Sequence, residues 1–136
     1  MATSKIFQPG QLISRRERTA QITYFEAKRD ENENISYERV FYGAVATTLL
    51  KSISRAPSNV NASTIRVAIE LRDEDNTPDG GVFKAEDDWF AIGELPEDIT
   101  DKRAARAAGY DCYMVNSVQE SRDANGKRIQ VFIEGA

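Results

Sequence analysis

The stretch that most restricts the fold is the last third of the chain, where two alternating segments flank a turn. Tyr110 to Glu120 is followed by Asp123-Ala124-Asn125-Gly126 and then by Lys127 to Glu134. Ile129, Val131 and Ile133 recur at period two, which puts them on one face of a strand, and Asn125-Gly126 is expected to supply the positive-φ residues of a tight reversal. A chain carrying such a hairpin is built around paired strands.

The sequence has 136 residues, 40% of them hydrophobic and 29% charged. That is enough for one domain with a real core and too little for two. Histidine is absent, which excludes Ser-His and Cys-His nucleophile pairs and histidine zinc sites. The lone Cys112 has no partner for an internal disulfide, and its place in an apolar strand suits a small buried residue. Neither a signal peptide nor a membrane span is expected, since the longest mostly apolar run, residues 43–50, contains two threonines. A reducing cytoplasm is the expected place of synthesis.

Charge is distributed unevenly. Residues 1–68 carry ten Lys/Arg against six Asp/Glu, whereas residues 69–136 carry eight against sixteen. Twelve of those carboxylates lie between Glu70 and Asp101. Solvated acidic loops would account for this, and so would a head-to-tail contact between the basic side of one copy and the acidic side of the next.

Read in order, the pattern gives an N-terminal arm over residues 1–17 and a single β-rich domain over residues 18–136. A first strand is expected over Thr19 to Ala27, with Ala20, Ile22, Tyr24 and Glu26 on one face, and a second over Ile35 to Thr47 after a polar turn. Gly43 inside the second strand marks a bulge or a close backbone approach. Ser63 to Leu71 alternates most cleanly, with Ile65, Val67, Ile69 and Leu71 facing one way. Val82-Phe83-Lys84 is a short segment, Trp89 to Gly93 a short strand, and Thr100 or Asp101 caps a helix running to about Ala108, with Ala104, Ala105 and Ala108 available for packing and Gly109 as its stop. The expected fold is mainly β: a small antiparallel barrel or sandwich of about six strands, with one short helix and long loops.

No motif for chemistry survives inspection. Asp73, Asp75 and Asp79 suggest calcium, but Pro78 stands where an EF-hand loop needs glycine and Lys84 where it needs a bidentate glutamate. Glu86, Asp87 and Asp88 have no specific partner for glycoside chemistry, and Gly80-Gly81 lacks any phosphate-loop context. Tyr24, Tyr37, Phe41 and Tyr42 interleave with Arg18, Lys28, Arg29 and Arg39 as a single-strand nucleic-acid platform would require. The acidic total opposes this, and aromatics at period two also suit a core.

In their order and spacing, the segments Val40-Phe41-Tyr42-Gly43-Ala44-Val45, Ile65 to Leu71, Trp89-Phe90-Ala91-Ile92-Gly93, Pro96-Glu97-Asp98-Ile99-Thr100 and the closing hairpin resemble the small head-tail joining proteins of tailed bacteriophages of Gram-positive hosts. The similarity spans roughly residues 19–135. The chain departs from that pattern in lacking a tryptophan after Gly43, in having Gly93-Glu94 for Gly-Asp, and in having Val131-Phe132 for His-Trp.

The resemblance implies a non-catalytic virion protein without a cofactor, assembled in the host cytoplasm as a homo-oligomeric ring. It would join the portal or adaptor protein to the tail terminator or tail tube protein, with phage DNA passing through its channel and no membrane involved. The long connection from Lys51 to Asn61 is then the candidate channel loop, with Lys51, Arg55, Pro57, Ser58 and Asn59. The candidate subunit interface sets Arg15, Arg16, Arg18 and Arg39 against Asp73, Glu74, Asp75, Glu86, Asp87 and Asp88. A tail-completion or tail-terminator protein remains an alternative, as does a monomeric β-barrel module binding a host factor or single-stranded nucleic acid.

Overall fold

A computed structural model describes residues 13–51, 63–73, 75–76 and 82–136. Six strands form in the order β1 (Ala20–Arg29), β2 (Ile35–Lys51), β3 (Ser63–Glu70), β4 (Trp89–Ile92), β5 (Cys112–Arg122) and β6 (Arg128–Gly135), with one helix, α1 (Lys102–Ala107), between β4 and β5. Every pairing is antiparallel, and the ladder runs β1-β2-β3-β6-β5-β4 and back to β1, closing the sheet into a barrel.

Alternation decides what fills it. Ile22, Tyr24, Tyr42, Val45, Ile65, Val67, Ile69, Phe90, Val115, Val131 and Ile133 pack together as one buried cluster, as expected of a small barrel whose interior is occupied by side chains. The opposite face of β1, β4 and β5 would leave Phe25, Trp89 and Ala91 in water. Helix α1 and its preceding loop cover them through Ala105 and Leu95, and Phe25 stacks on Trp89 at 4.0 Å. Asp101 caps α1 by accepting from the Ala104 N–H at 2.7 Å. Of the three alanines expected to pack, only Ala105 is buried, since a helix this short turns one face to the sheet.

β2 organises the barrel. Its first part pairs with β1 as far as Val45, and from Val45 onward it pairs with β3. The transfer happens at a bulge: Ala20 faces Val45 but Ile22 faces Tyr42, so Gly43 and Ala44 oppose one residue of β1. The same glycine admits a neighbouring backbone. Its N–H donates to the Asp75 carbonyl at 3.0 Å, and a Cβ there would lie 2.9 Å from that oxygen.

The two hairpin turns share one design. Asp30 Oδ1 accepts from the N–H groups of Asn32 and Asn34, and Asp123 Oδ1 accepts from those of Asn125 and Lys127. The left-handed residue in each is the fourth, Glu33 at φ 62° and Gly126 at φ 80°. Asn125 does not take the left-handed conformation expected of an Asn-Gly two-residue reversal, because the aspartate side chain nucleates a longer turn.

Two further segments lie against the barrel. The short segment Val82-Phe83-Lys84 sends Phe83 into the barrel core, edge-on to Tyr24 with centroids 4.8 Å apart. The last residues of the expected arm are docked, with a 3-10 turn at Arg15–Glu17 and Ile13 buried against Ala46, Ala68 and Phe132 on the outer barrel wall.

Candidate functional site

Two buried aspartates anchor the turns beside the barrel, and the first gathers Arg15 and Arg18. Asp73 lies in the turn after β3, and its side chain is fully buried. One carboxylate oxygen accepts from Arg15 at 2.9 Å and from the Asp75 N–H at 3.0 Å, while the other accepts from Arg18 Nε at 3.0 Å. Arg15 also reaches Asp75, and Arg18 donates to the Ile13 carbonyl. Burial pushes the Asp73 carboxyl up, but the Asp75 N–H and the two guanidinium groups outweigh it and hold the pKa below the usual carboxylate value. The anchor therefore stays charged at neutral pH.

The Asp73 turn also completes the bulge. Asn76 is 1% exposed; its amide accepts from the Ala44 N–H at 3.1 Å and donates to the carbonyls of Ala44 and Glu70 at 3.0 and 2.8 Å. These are backbone groups that the bulge removes from the β1-β2 ladder and the end of β3 leaves behind. Beside them Arg72 chelates Glu70, and this pairing outweighs the burial that would raise the Glu70 pKa, holding it below the usual value.

Asp88 is the second anchor and is wholly buried. It accepts from the Tyr24 hydroxyl at 2.5 Å, the Ala27 N–H at 2.8 Å and the Lys84 N–H at 3.0 Å. Burial, reinforced by Asp88 as acceptor, pushes the Tyr24 hydroxyl far above the ordinary tyrosine value, so it remains a donor. Because β4 pairs with β1 only over Ile22 to Phe25, the rest of β1 lacks a strand on that side. Asp88 and Lys84, whose Nζ donates to the Ala27 carbonyl at 2.6 Å, supply bonds there instead.

These contacts redraw the expected interface. Arg15 and Arg18 do meet the acidic segment, but within one chain. Asp88 faces the interior and cannot serve as a surface contact, Asp87 pairs with Arg29 at 2.5 Å, and Arg39 donates to the carbonyls of Leu95 and Pro96 rather than to a carboxylate. Arg16 and Glu86 are exposed. Glu74 lies outside the described residues, as do Arg55, Pro57, Ser58 and Asn59 of the expected channel loop and the side chain of Lys51; the backbone of Lys51 ends β2, opposite Ser63.

Tyr24 and Tyr42 point into the barrel and are unavailable as stacking platforms. Among the described residues no group of carboxylates and thiols could hold a metal ion, and no helix is long and apolar enough to cross a membrane. An open depression of about 410 Å³ beside α1 is lined by Arg106, Tyr110, Cys112 and Tyr113. Burial pushes the Cys112 thiol up, and the nearby Arg106 and Lys102 do not compensate. Such a thiol is a poor nucleophile at neutral pH.

No protein-family model, characterised protein or solved structure matches this chain. Function must be argued from the architecture. Asn76, Ile13 and Lys84 are the contributors that periodicity misses; it places Tyr24 on the inward face but not its bond to Asp88. The Asn76 N–H donates to the Asp73 carbonyl at 3.0 Å to close the turn, and no local pattern marks its side chain.

What the geometry offers is two separated ends. β2 is 17 residues long, about 55 Å at strand rise. It outruns β1 at one end and β3 at the other. The β1-β2 hairpin thus projects from one end of the barrel, beyond β4 and β3, and the described end of β2 with the start of β3 lies at the opposite end. The first carries Ile35 and Tyr37, which are 40% and 37% exposed; the second carries Leu49, 49% exposed.

Proposed function

We propose that this protein is a structural component of a tailed-phage neck, a ring subunit that joins the DNA-filled capsid to the tail. The observation that carries the reading is a closed barrel with two separated ends, the β1-β2 hairpin projecting from one and β2 running on past β1 to the other. The six strands close on themselves, so copies can be arranged side by side while both ends stay available. One end then meets the portal or adaptor protein and the other the tail terminator or tail tube protein. DNA passes through the central channel of the ring. The work is steric and electrostatic, with no bond made or broken.

Negative-stain electron microscopy of the purified chain at high concentration tests this. Annular particles with a central opening are expected, and a field of single compact particles at every concentration would overturn the proposal.

A further inference from the structure

The projecting β1-β2 hairpin has two edges, and only one of them is closed. In an antiparallel pair, directly opposed residues either bond to each other or both turn their N–H and C=O outward. Ala27 turns outward, since its N–H donates to Asp88 and its carbonyl accepts from Lys84. Tyr37 stands opposite Ala27, so its own N–H and C=O face away from β1, and the alternation carries Ile35 and Arg39 with it. β3 joins that side of β2 only from Val45 onward, while Asp75 and Asn76 cover Tyr42, Gly43 and Ala44. Among the described residues nothing bonds to the outward N–H and C=O groups of Ile35, Tyr37 and Arg39. Ile35 and Tyr37 are also large apolar side chains left in water, at 40% and 37% exposure, and their odd spacing puts them on one face. The turn at the head of the strand carries Glu31 and Glu33, exposed carboxylates with no cationic partner among the described residues.

We propose that the Ile35–Arg39 edge of β2 receives an extended segment of a partner protein, which adds to the hairpin as a further strand. The edge itself describes that segment. Its outward backbone groups call for a strand with free N–H groups, so without proline at the bonding positions. Apolar side chains at alternate positions of the segment lie beside Ile35 and Tyr37, and a basic residue at the end nearest the turn meets Glu31 and Glu33. Proteins usually blunt an exposed edge with a bulge, a proline or a covering group. Asp88 and Lys84 do this for β1, whereas neither proline nor bulge interrupts residues 35–39. The site stands at the end of the barrel where the hairpin runs past β3 and β4, with room for a strand beside it. It is independent of the ring reading, since one chain alone presents the whole edge.

The probe is a short synthetic peptide of alternating valine and threonine, acetylated at its N-terminus and ending in two lysines, which an antiparallel strand would bring beside the turn. Amide exchange with water is read residue by residue by NMR on the full chain. With the peptide at about ten times its Kd, exchange at Ile35, Tyr37 and Arg39 should slow by about tenfold, while Ser36 and Glu38, already bonded to β1, should change little. Two companion peptides carry N-methyl groups on one or the other alternate set of amides. One should bind as the parent does and the other at least about tenfold more weakly, because only one set faces β2. Changing Glu31 and Glu33 together to lysine should weaken the lysine-ended peptide and favour one ending in aspartate. Absence of slowing at Ile35, Tyr37 and Arg39, an equal effect of the two methylated sets, or an unaltered charge preference would overturn the proposal. So would slow exchange at these amides without peptide: a dependence on protein concentration would assign the edge to a second copy, and no dependence would show that the chain closes the edge itself.

Discussion

Replacing Asn76 by alanine removes one small side chain and strips three backbone groups of their partners. The Ala44 N–H and the carbonyls of Ala44 and Glu70 are held by the Asn76 amide at 2.8–3.1 Å, in a place where Asn76 itself is 1% exposed. A buried donor left unpaired costs about 1–3 kcal/mol, and each lost carbonyl bond about 0.5–1.5 kcal/mol. The expected destabilisation is therefore roughly 3 kcal/mol. For a domain of this size that corresponds to a fall of about 10 °C in Tm. Urea unfolding followed by tryptophan fluorescence measures it well, because Trp89 is buried; the midpoint should drop at unchanged slope, as for a change in stability alone. Asn76→Asp should cost at least as much, since it keeps the acceptor for Ala44 but turns an oxygen toward two carbonyls. Glu86→Ala, at an exposed position, should change stability by no more than about 0.5 kcal/mol. An Asn76→Ala loss below about 1 kcal/mol would refute the claim that this side chain completes the bulge.

Acid should weaken the fold through Asp73 and Glu70. Both have folded pKa values below the ordinary carboxylate value, so their contribution is complete above about pH 4, the unfolded value, and is lost as pH falls through the folded one. Asp73→Asn should flatten the acid limb of a stability-pH curve and leave a less stable protein at pH 7; an unchanged limb would contradict it. Tyr24→Phe removes a donor from the buried Asp88 carboxylate and should cost about 1.5–3 kcal/mol in the same urea assay. Glu33→Gly should stabilise by about 0.5–1 kcal/mol, because Glu33 holds the left-handed conformation that Gly126 holds in the matching turn; a loss of stability would show that its side chain has an offsetting role.

The barrel was legible where burial follows local alternation. Ile65, Val67 and Ile69 repeat at period two and point inward, the closing hairpin pairs as its pattern predicts, and Asp101 announces α1. Gly43 was legible as a bulge because glycine inside a strand has few other uses. The anchors were not, since their partners are remote in sequence: Arg18 and Asp73 are 55 residues apart, Tyr24 and Asp88 are 64 apart. Nothing local tells a buried aspartate in such a run from a solvated one. Ile13 was hidden for the opposite reason. It is a single apolar contact without a period, and its burial depends on a groove built by three distant strands.

The Ile13–Arg18 segment is held unequally by its contacts. Burying Ile13 contributes about 2 kcal/mol, whereas Arg15, with a side chain 60% exposed, adds at most about 1 kcal/mol and less as salt rises. Apolar seating gives the segment its strength and the arginines give it its register.

The central claim is that the protein works as one of many copies around a channel. Sedimentation velocity over a wide concentration range, at low and moderate salt, tests it most directly. The account predicts growth from the 15.2 kDa chain to a discrete multi-copy species. A single sedimenting species of one-chain mass at every concentration and salt would contradict it.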